Sequence, residues 1–326
     1  MSAVRIGVIG VGRFGRLHAR TLAGLAEADL VALVETDAAA RSAMSVELPG
    51  VPCWDDLDQA LAHSGAEAWV IATQTASHIP LAERLLATGA AVLIEKPLAP
   101  SRTEAARLAP LVAPGSRNLM LGHILLFAPE FRRLAQESRA RGGLAYLQAT
   151  RHRPALTFEQ FGGESPLRLL MIHDLYLTLL LAGGAEPERV TAALHPRPGG
   201  GVDLAIARLE WADGLWATLT ASYLAPPGMP SDGFDRLELY GQGWAALMEL
   251  NPQPLTLWAE RAEWPMSLAI DADPAAPSGW LAEELRCFCR VVRGAEPPLG
   301  SRYQDGLQLM GWIERLERSA AEGRPA

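Results

Sequence analysis

The sequence predicts an α/β protein in two parts. An N-terminal doubly wound parallel sheet comes first, followed by an α+β domain on a large, mainly antiparallel open sheet. Three observations carry this. Through the first 125 residues, short apolar runs alternate with helical ones, the pattern of a parallel sheet covered on both faces. A glycine-rich turn, Gly10-Val11-Gly12-Arg13-Phe14-Gly15, separates the first apolar run from the first helix. After Leu126 the rhythm changes to a series of alternating, strand-like segments. Two domains also suit 326 residues, since one domain takes about 100–200. The boundary is expected at 122/123.

In the first part, strands are expected at Val4–Ile9, Leu30–Val34, Ala68–Ala72, Ala91–Ile94 and Leu119–Leu121. Helices are expected at Arg13–Ala23, Asp55–His63, Ile79–Thr88 and Thr103–Val112, with Asp55 or Asp56 near a cap and Gly89 suiting a C′ position. In the second part, a helix over Glu130–Arg141 precedes a strand over Ala145–Arg151. Pro166–Leu181 reads as one helix, apolar almost all round and stopped by Gly183-Gly184. Strands follow at Val190–Leu194, Val202–Trp211, Leu215–Ser222, Arg236–Tyr240, Trp244–Leu250 and Pro254–Ala259. Asp213-Gly214 is a hairpin signal, and Trp280–Val292 and Tyr303–Ser319 are closing helices. The loops Pro196–Gly201 and Pro226–Gly233 are candidates for site loops, and plain surface loops fit them as well.

Composition excludes several function classes. Hydrophobic residues make up 49% and charged residues 20%, which builds a core. Lys plus Arg is 29 and Asp plus Glu is 37, a formal charge of −8. With no long basic run, nucleic acid is a poor partner. No apolar stretch reaches the roughly 18–20 residues of a membrane span, and because the N-terminus enters a strand at once no signal peptide is expected. Cys53, Cys287 and Cys289 form no zinc-like spacing with histidine, so no metal is expected. Reduced thiols in a cytoplasmic protein are the expectation.

Gly10–Gly15 is G-x-G-x-x-G between a strand and a helix, the context of a dinucleotide-binding Rossmann fold. Gly10 makes the turn, Gly12 lets a pyrophosphate approach, and Gly15 lets helix and strand pack closely. Arg13 and Phe14 open the helix whose N-terminus holds the anion. Glu35 stands 20 residues beyond Gly15, where a carboxylate accepts hydrogen bonds from ribose hydroxyls and repels a 2′-phosphate. Thr36 follows it, and Arg41, the nearest base, is read as too far along, so NAD is favoured over NADP.

Glu95-Lys96-Pro97 ends the Ala91–Ile94 strand. Ligands of open parallel sheets bind at the carboxyl ends of strands, so Lys96 faces a ligand crevice. Pro97 restricts Lys96 to an extended or turn conformation and allows a cis bond.

The chain resembles the superfamily of glucose–fructose oxidoreductase, inositol dehydrogenase and rhizopine-catabolism proteins (Gfo/Idh/MocA). The resemblance runs through Gly10–Gly15, Ile71-Ala72-Thr73, His78, Glu95-Lys96-Pro97, Gly122-His123, Phe127, Pro129, Ile172-His173-Asp174 and Glu283-Glu284-Leu285 with Phe288. It implies NAD(P)-linked oxidation of a hydroxyl on a sugar, polyol or related metabolite. Residues 1–122 would then bind the dinucleotide, and 123–326 the substrate and a second subunit. By the resemblance Lys96 hydrogen-bonds the reacting hydroxyl, and His173 exchanges its proton. Thr73, His78 and Glu95 would lie near the nicotinamide, and a homodimer or homotetramer would form through the second sheet.

His173 has independent support, because a buried polar group without a partner costs roughly 1–3 kcal/mol and this helix is otherwise apolar. The family often carries carboxylates where Leu169 and Tyr176 stand, four residues before and three after His173. Gln74 replaces a frequent proline and Leu126 a frequent arginine. Tyr176 and His123 are assigned to the substrate side. Arg151 and Arg153, with His152 and Arg168 nearby, would bind an acidic or phosphorylated substrate, or form a solvated basic rim. Trp211, Trp216, Trp244 and Trp258 are expected to pack the sheet or an interface. Alternatives to the dehydrogenase are a non-catalytic dinucleotide sensor, an NAD-dependent glycosidase and a reductase of unsaturated bonds.

Overall fold

Val4, Ile6, Val8 and Ile9 are buried along one short strand, as the central position in a sheet covered on both faces requires. The computed structural model describes residues 2–251, 256–258, 262–263, 265–266 and 269–326. The first strands and helices are β1 (Val4–Ile9), α1 (Arg13–Gly24), β2 (Ala28–Val34), α2 (Ala38–Glu47), β3 (Cys53–Trp54) and α3 (Leu57–His63). They continue as β4 (Ala68–Ile71), α4 (His78–Ala87), β5 (Ala91–Glu95), α5 (Arg102–Ala105) and β6 (Leu119–Gly122). The strands pair in parallel in the order β3-β2-β1-β4-β5-β6. The order reverses between β1 and β4, the switch point at which such sheets bind ligands. On α1, Gly15, His18, Ala19, Thr21 and Leu22 are buried, a helical-period stripe that includes one histidine.

The second set comprises α6 (Pro129–Ala140), β7 (Tyr146–Pro154), α7 (Leu156–Gln160), α8 (Pro166–Leu169), α9 (Met171–Leu181), β8 (Arg189–Pro196), β9 (Val202–Glu210), β10 (Trp216–Ala225), β11 (Phe234–Gly241) and β12 (Trp244–Asn251). The sheet order is β12-β11-β7-β10-β9-β8, antiparallel except where β7 meets β10. Burial alternates along β9, along β10 except at buried Ser222, and along most of β11, so one face is covered and the other open. Gly214 turns the β9–β10 hairpin at φ +90°, with the Leu215 amide donating to Asp213 Oδ1. The remaining elements are β13 (Leu257–Trp258), β14 (Ala262–Glu263), β15 (Ile270–Asp271), α10 (Gly279–Val292) and α11 (Tyr303–Glu322).

The chain divides into two compact units: Met1–Ala128 with Ser267–Leu307, and Pro129–Met266 with Gln308–Ala326. A single cut at 122/123 assigns α10 to the second part, whereas it packs in the first unit against α1, β5 and β6. No helix among the described residues is long and apolar enough to cross a membrane.

Several elements differ from the sequence reading. α2 and β3 are absent from it because α2 buries Met44 alone among its side chains and β3 has two residues. The helix expected over Thr103–Val112 is shorter, ending at Ala105 and followed by a 3-10 turn at Ala106–Leu108. The helix expected over Pro166–Leu181 breaks at Leu170 (φ −104°, ψ −53°), where neither Gly nor Pro signals a stop. α7 was not anticipated. Of the strand expected over Pro254–Ala259, Pro254, Leu255 and Ala259 lie outside the described residues, as does the Trp258 side chain.

Candidate active site

Three glycines at the end of β1 divide the work of holding a dinucleotide. Gly10 adopts φ +82°, and a Cβ there would stand 2.9 Å from the Ala72 carbonyl oxygen. Gly15 lies so close to β1 that a Cβ would fall 1.8 Å from the Gly10 carbonyl oxygen. Around Gly12, by contrast, a Cβ would meet nothing within 4 Å. This is the open approach a pyrophosphate needs, at the N-terminus of α1, where Arg13 is exposed and Phe14 half-buried. The site therefore fits NAD by shape and by its donor set.

Glu35, just beyond β2, accepts the Val11 amide at 2.9 Å and the Asp37 amide at 3.0 Å. Its carboxylate is thereby fixed beside the glycine turn. Arg41 is closer than the sequence suggested. α2, capped by Asp37, brings its guanidinium back to the carbonyls of Glu35 and Thr36, 2.8 Å from each.

At the carboxyl ends of β4 and β5, one histidine joins two loops. His78 opens α4 and is buried; its Nδ1 is 2.9 Å from the Pro97 carbonyl and its Nε2 3.1 Å from the Thr73 carbonyl. Burial lowers its pKa against the pull of those two carbonyls, and in the neutral form the ring has one N–H and donates to one of them. Thr73 is held in turn by the Ser77 hydroxyl at 2.7 Å. The Lys96–Pro97 bond is cis. Glu95 is buried, with Oε1 2.8 Å from His18 Nε2 and Oε2 accepting the Lys96 amide. His123 is also buried, and its Nδ1 is bonded to the Gly300 carbonyl. Burial outweighs that bond and brings its pKa down to about 4. His123 is thus a neutral core group that meets the charges of Glu95 and Lys96.

In the second unit, His173 is half-buried on α9, with its Nδ1 2.9 Å from the Tyr176 hydroxyl one turn on. Tyr176 is fully buried, and its ring meets that of His173 edge-on. The break at Leu170 puts Leu169 on α8, so only Tyr176 shares a continuous helical face with His173. Asp174, the next residue, bonds Arg151 at 2.9 Å, and Arg151 also pairs with Asp235 at 2.7 Å. Arg153 bonds both oxygens of Asp235, and Asn251 donates to it as well. Burial raises Asp174 more than one arginine can offset. It raises Asp235 too, but two arginines and Asn251 outweigh it and hold that carboxyl low. Burial disfavours the Arg151 charge, yet its two acids raise its pKa further.

This corrects the expectation of a basic rim. Arg151 and Arg153 are neutralised inside the fold because β7 and β11 pair Arg151 opposite Asp235. Arg168 is likewise engaged, with Glu317 at 2.6 Å. Trp211 is buried against Trp312, while Trp216 lies on the open sheet face beneath Arg208. Trp244 is half-buried. Sequence reasoning quoted Glu284 without a role and did not single out His18; the structure brings both to Glu95, within 4.8 Å. The signal for His18 was a polar residue on the buried stripe of α1.

Fold and site define a Rossmann-type dinucleotide-binding oxidoreductase. The family models agree: one described as the oxidoreductase family with NAD-binding Rossmann fold matches residues 4–123, and the GFO/IDH/MocA C-terminal domain matches 133–244. The chain belongs to the Gfo/Idh/MocA family. It is 34% identical over 223 residues to UDP-N-acetylglucosamine 3-dehydrogenase of Acidithiobacillus ferrooxidans, covering 68% of each chain. It is 28% identical over 338 residues to inositol 2-dehydrogenase of Rhizobium meliloti, covering 98% of each. A crystal structure of a putative myo-inositol dehydrogenase from Sinorhizobium meliloti 1021 superposes with a TM-score of 0.82 at 26% identity, covering 99% of both chains. Scyllo-inositol dehydrogenase from Lactobacillus casei, solved with NAD(H) and scyllo-inositol, shares the fold at TM-score 0.82 and 20% identity, over 99% and 98% of the chains. The protein is an NAD-binding oxidoreductase of the class acting on CH–OH groups.

Proposed function

We propose that the enzyme moves a hydride between NAD and a secondary-alcohol carbon of a ring polyol or sugar, with Lys96 and His173 handling the oxygen and its proton. The observation that carries this reading is Lys96 itself. It directly follows β5 of the sheet whose β1 end forms the glycine cradle, between buried Glu95 and a Pro97 held by His78. The relatives supply the substrate class, since inositol and UDP-N-acetylglucosamine both carry secondary hydroxyls on a six-membered ring.

Bound NAD supplies the hydride acceptor, and the protein orients and polarises. The Lys96 ammonium donates to the reacting oxygen and stabilises negative charge there. Tyr176 fixes the His173 ring through Nδ1. When Nδ1–H donates to the phenol oxygen, Nε2 presents its lone pair and takes the hydroxyl proton; in the reverse direction the imidazolium returns it. Tyr176 thus replaces the family's carboxylate as the group that orients the histidine.

The test is NADH formation on a panel of myo-inositol, scyllo-inositol, simple sugars and UDP-N-acetylglucosamine. Turnover on at least one supports the reading. No turnover on any, in protein that binds NAD, removes this substrate class.

We also infer a homo-oligomer through the open face of the second sheet. Ile206, Trp216, Leu224, Tyr240 and Leu247 are exposed on that face, an uncommon density of large apolar side chains. Trp216→Glu should lower the sedimenting mass; an unchanged mass removes the interface. None of Cys53, Cys287 and Cys289 is in a disulfide, and the cytoplasm is the compartment we assign.

A further inference from the structure

Three ionisable side chains meet inside the first unit, one of them Glu95, which accepts the Lys96 amide. His18 comes from the buried face of α1, Glu95 from the end of β5, and Glu284 from the buried face of α10. One nitrogen or oxygen of each lies within 4.8 Å of the others. Glu284 is 0% exposed, and among the described residues neither of its carboxyl oxygens has a hydrogen-bond partner, nor has His18 Nδ1. From the other side, Gly122 of β6 pairs with Glu95, and a Cβ there would stand 2.8 Å from Glu95 Oε1. The Glu95 carboxyl is therefore confined between β6 and the two side chains.

Counting charge decides what this cluster holds. Two ionised carboxylates at this separation repel strongly away from water, and His18 can balance at most one of them. His78 and His123, the other histidines near Glu95, are kept neutral by burial. Glu284 meets the charge of Glu95 in a site sealed from solvent, and burial with that repulsion drives its carboxyl towards the protonated form. A carboxyl that keeps its proton is a donor, and Glu95 is the acid beside it. The nearest atoms of the two carboxyls lie within 4.8 Å, a separation that one bridging water spans.

We propose that Glu284 and Glu95 share one proton, and that this pair, steadied by His18, positions the Lys96 backbone. Glu284 is a positioning residue that acts through Glu95. Its kinetic consequence rests on the proposed role of Lys96; the shared proton does not.

Infrared difference spectra of the full-length wild type against Glu284→Gln, at neutral pH, test the proton directly. The expected result is the carbonyl stretch of a protonated carboxyl, present in the wild type and missing from the variant. Its absence from the wild type overturns the proposal. A stoichiometric divalent metal in the purified wild type, lost in Glu284→Gln, overturns it too, because a cation would then fill the cluster.

Kinetics test the positioning. Glu284→Ala should lower kcat by about tenfold or more, the worth of a buried hydrogen bond, with the NAD dissociation constant within about threefold of wild type. Glu284→Gln should recover most of that loss. Equal losses in both variants, or NAD affinity falling in step with kcat, overturn the positioning role. Gly122→Ala displaces the Glu95 carboxyl without touching Glu284, and should show the same split if Glu284→Ala fails to fold. The infrared arm needs no substrate, so it decides the shared proton even where the Lys96 reading fails.

Discussion

Each catalytic candidate has a buried acid for a sequence neighbour, and the two units handle that acid in opposite ways. Asp174, beside His173, lies in a closed ionic network: Arg151 takes Asp174 and Asp235, and Arg153 and Asn251 complete Asp235. Glu95, beside Lys96, has one histidine and a second acid. The first arrangement compensates charge with charge and holds α9 against β7 and β11. The second compensates by retaining a proton. Burial alone therefore does not fix a carboxyl's state; the cations facing it weigh as heavily.

Arg151→Met attacks the closed network at its centre and leaves two acids buried with too few partners. It should destabilise by about 3–5 kcal/mol, read from denaturant unfolding. A loss below about 1 kcal/mol would show that the network rearranges freely, and the contrast between units would fail.

Acid titration gives the next effect. His123 is neutral in the fold, with a pKa of about 4 against about 6.5 when unfolded. Its contribution is complete above pH 6.5 and is lost as the pH falls towards 4, where the unfolded chain binds the extra proton. The size is about 3 kcal/mol across that window. His123→Gln should flatten this part of the stability profile; an unchanged slope would mean that other groups set it.

Smaller still is the cofactor effect. Glu35→Ala should weaken NAD by roughly tenfold, as expected for a hydrogen bond to a charged group, and weaken NADP less. Arg41 would then be left as the charge beside the ribose site. Equal losses for both cofactors would undo the ribose assignment. The smallest effect is on the stability of Glu284→Gln, which should change by less than about 1 kcal/mol because the amide replaces a neutral acid. A loss like that of Arg151→Met would mean that Glu284 is ionised.

What was legible in the sequence follows from how local each signal is. Gly10, Gly12 and Gly15 have roles set by backbone geometry within one turn, so their spacing together with a place between a strand and a helix was enough to propose them. The sheets followed from apolar period. α2 escaped because it is mostly solvent-facing, and with it went the return of Arg41 to Glu35. The break at Leu170 has no local cause in residue type. Arg151 and Arg153 looked like a basic rim because their acids come from α9 and β11, Asp235 lying 84 residues after Arg151. The cluster at Glu95 was the least legible, since its members stand at positions 18, 95 and 284 and only the folded chain brings them together.

In the mechanism we propose, Lys96 does chemistry on a substrate beside bound NAD. The most direct measurement is turnover and NAD affinity of Lys96→Ala, side by side with wild type. The prediction is a kcat loss of roughly 10²–10⁴-fold with NAD affinity within a few-fold of wild type. Retained turnover would contradict it and take Lys96 out of the reaction.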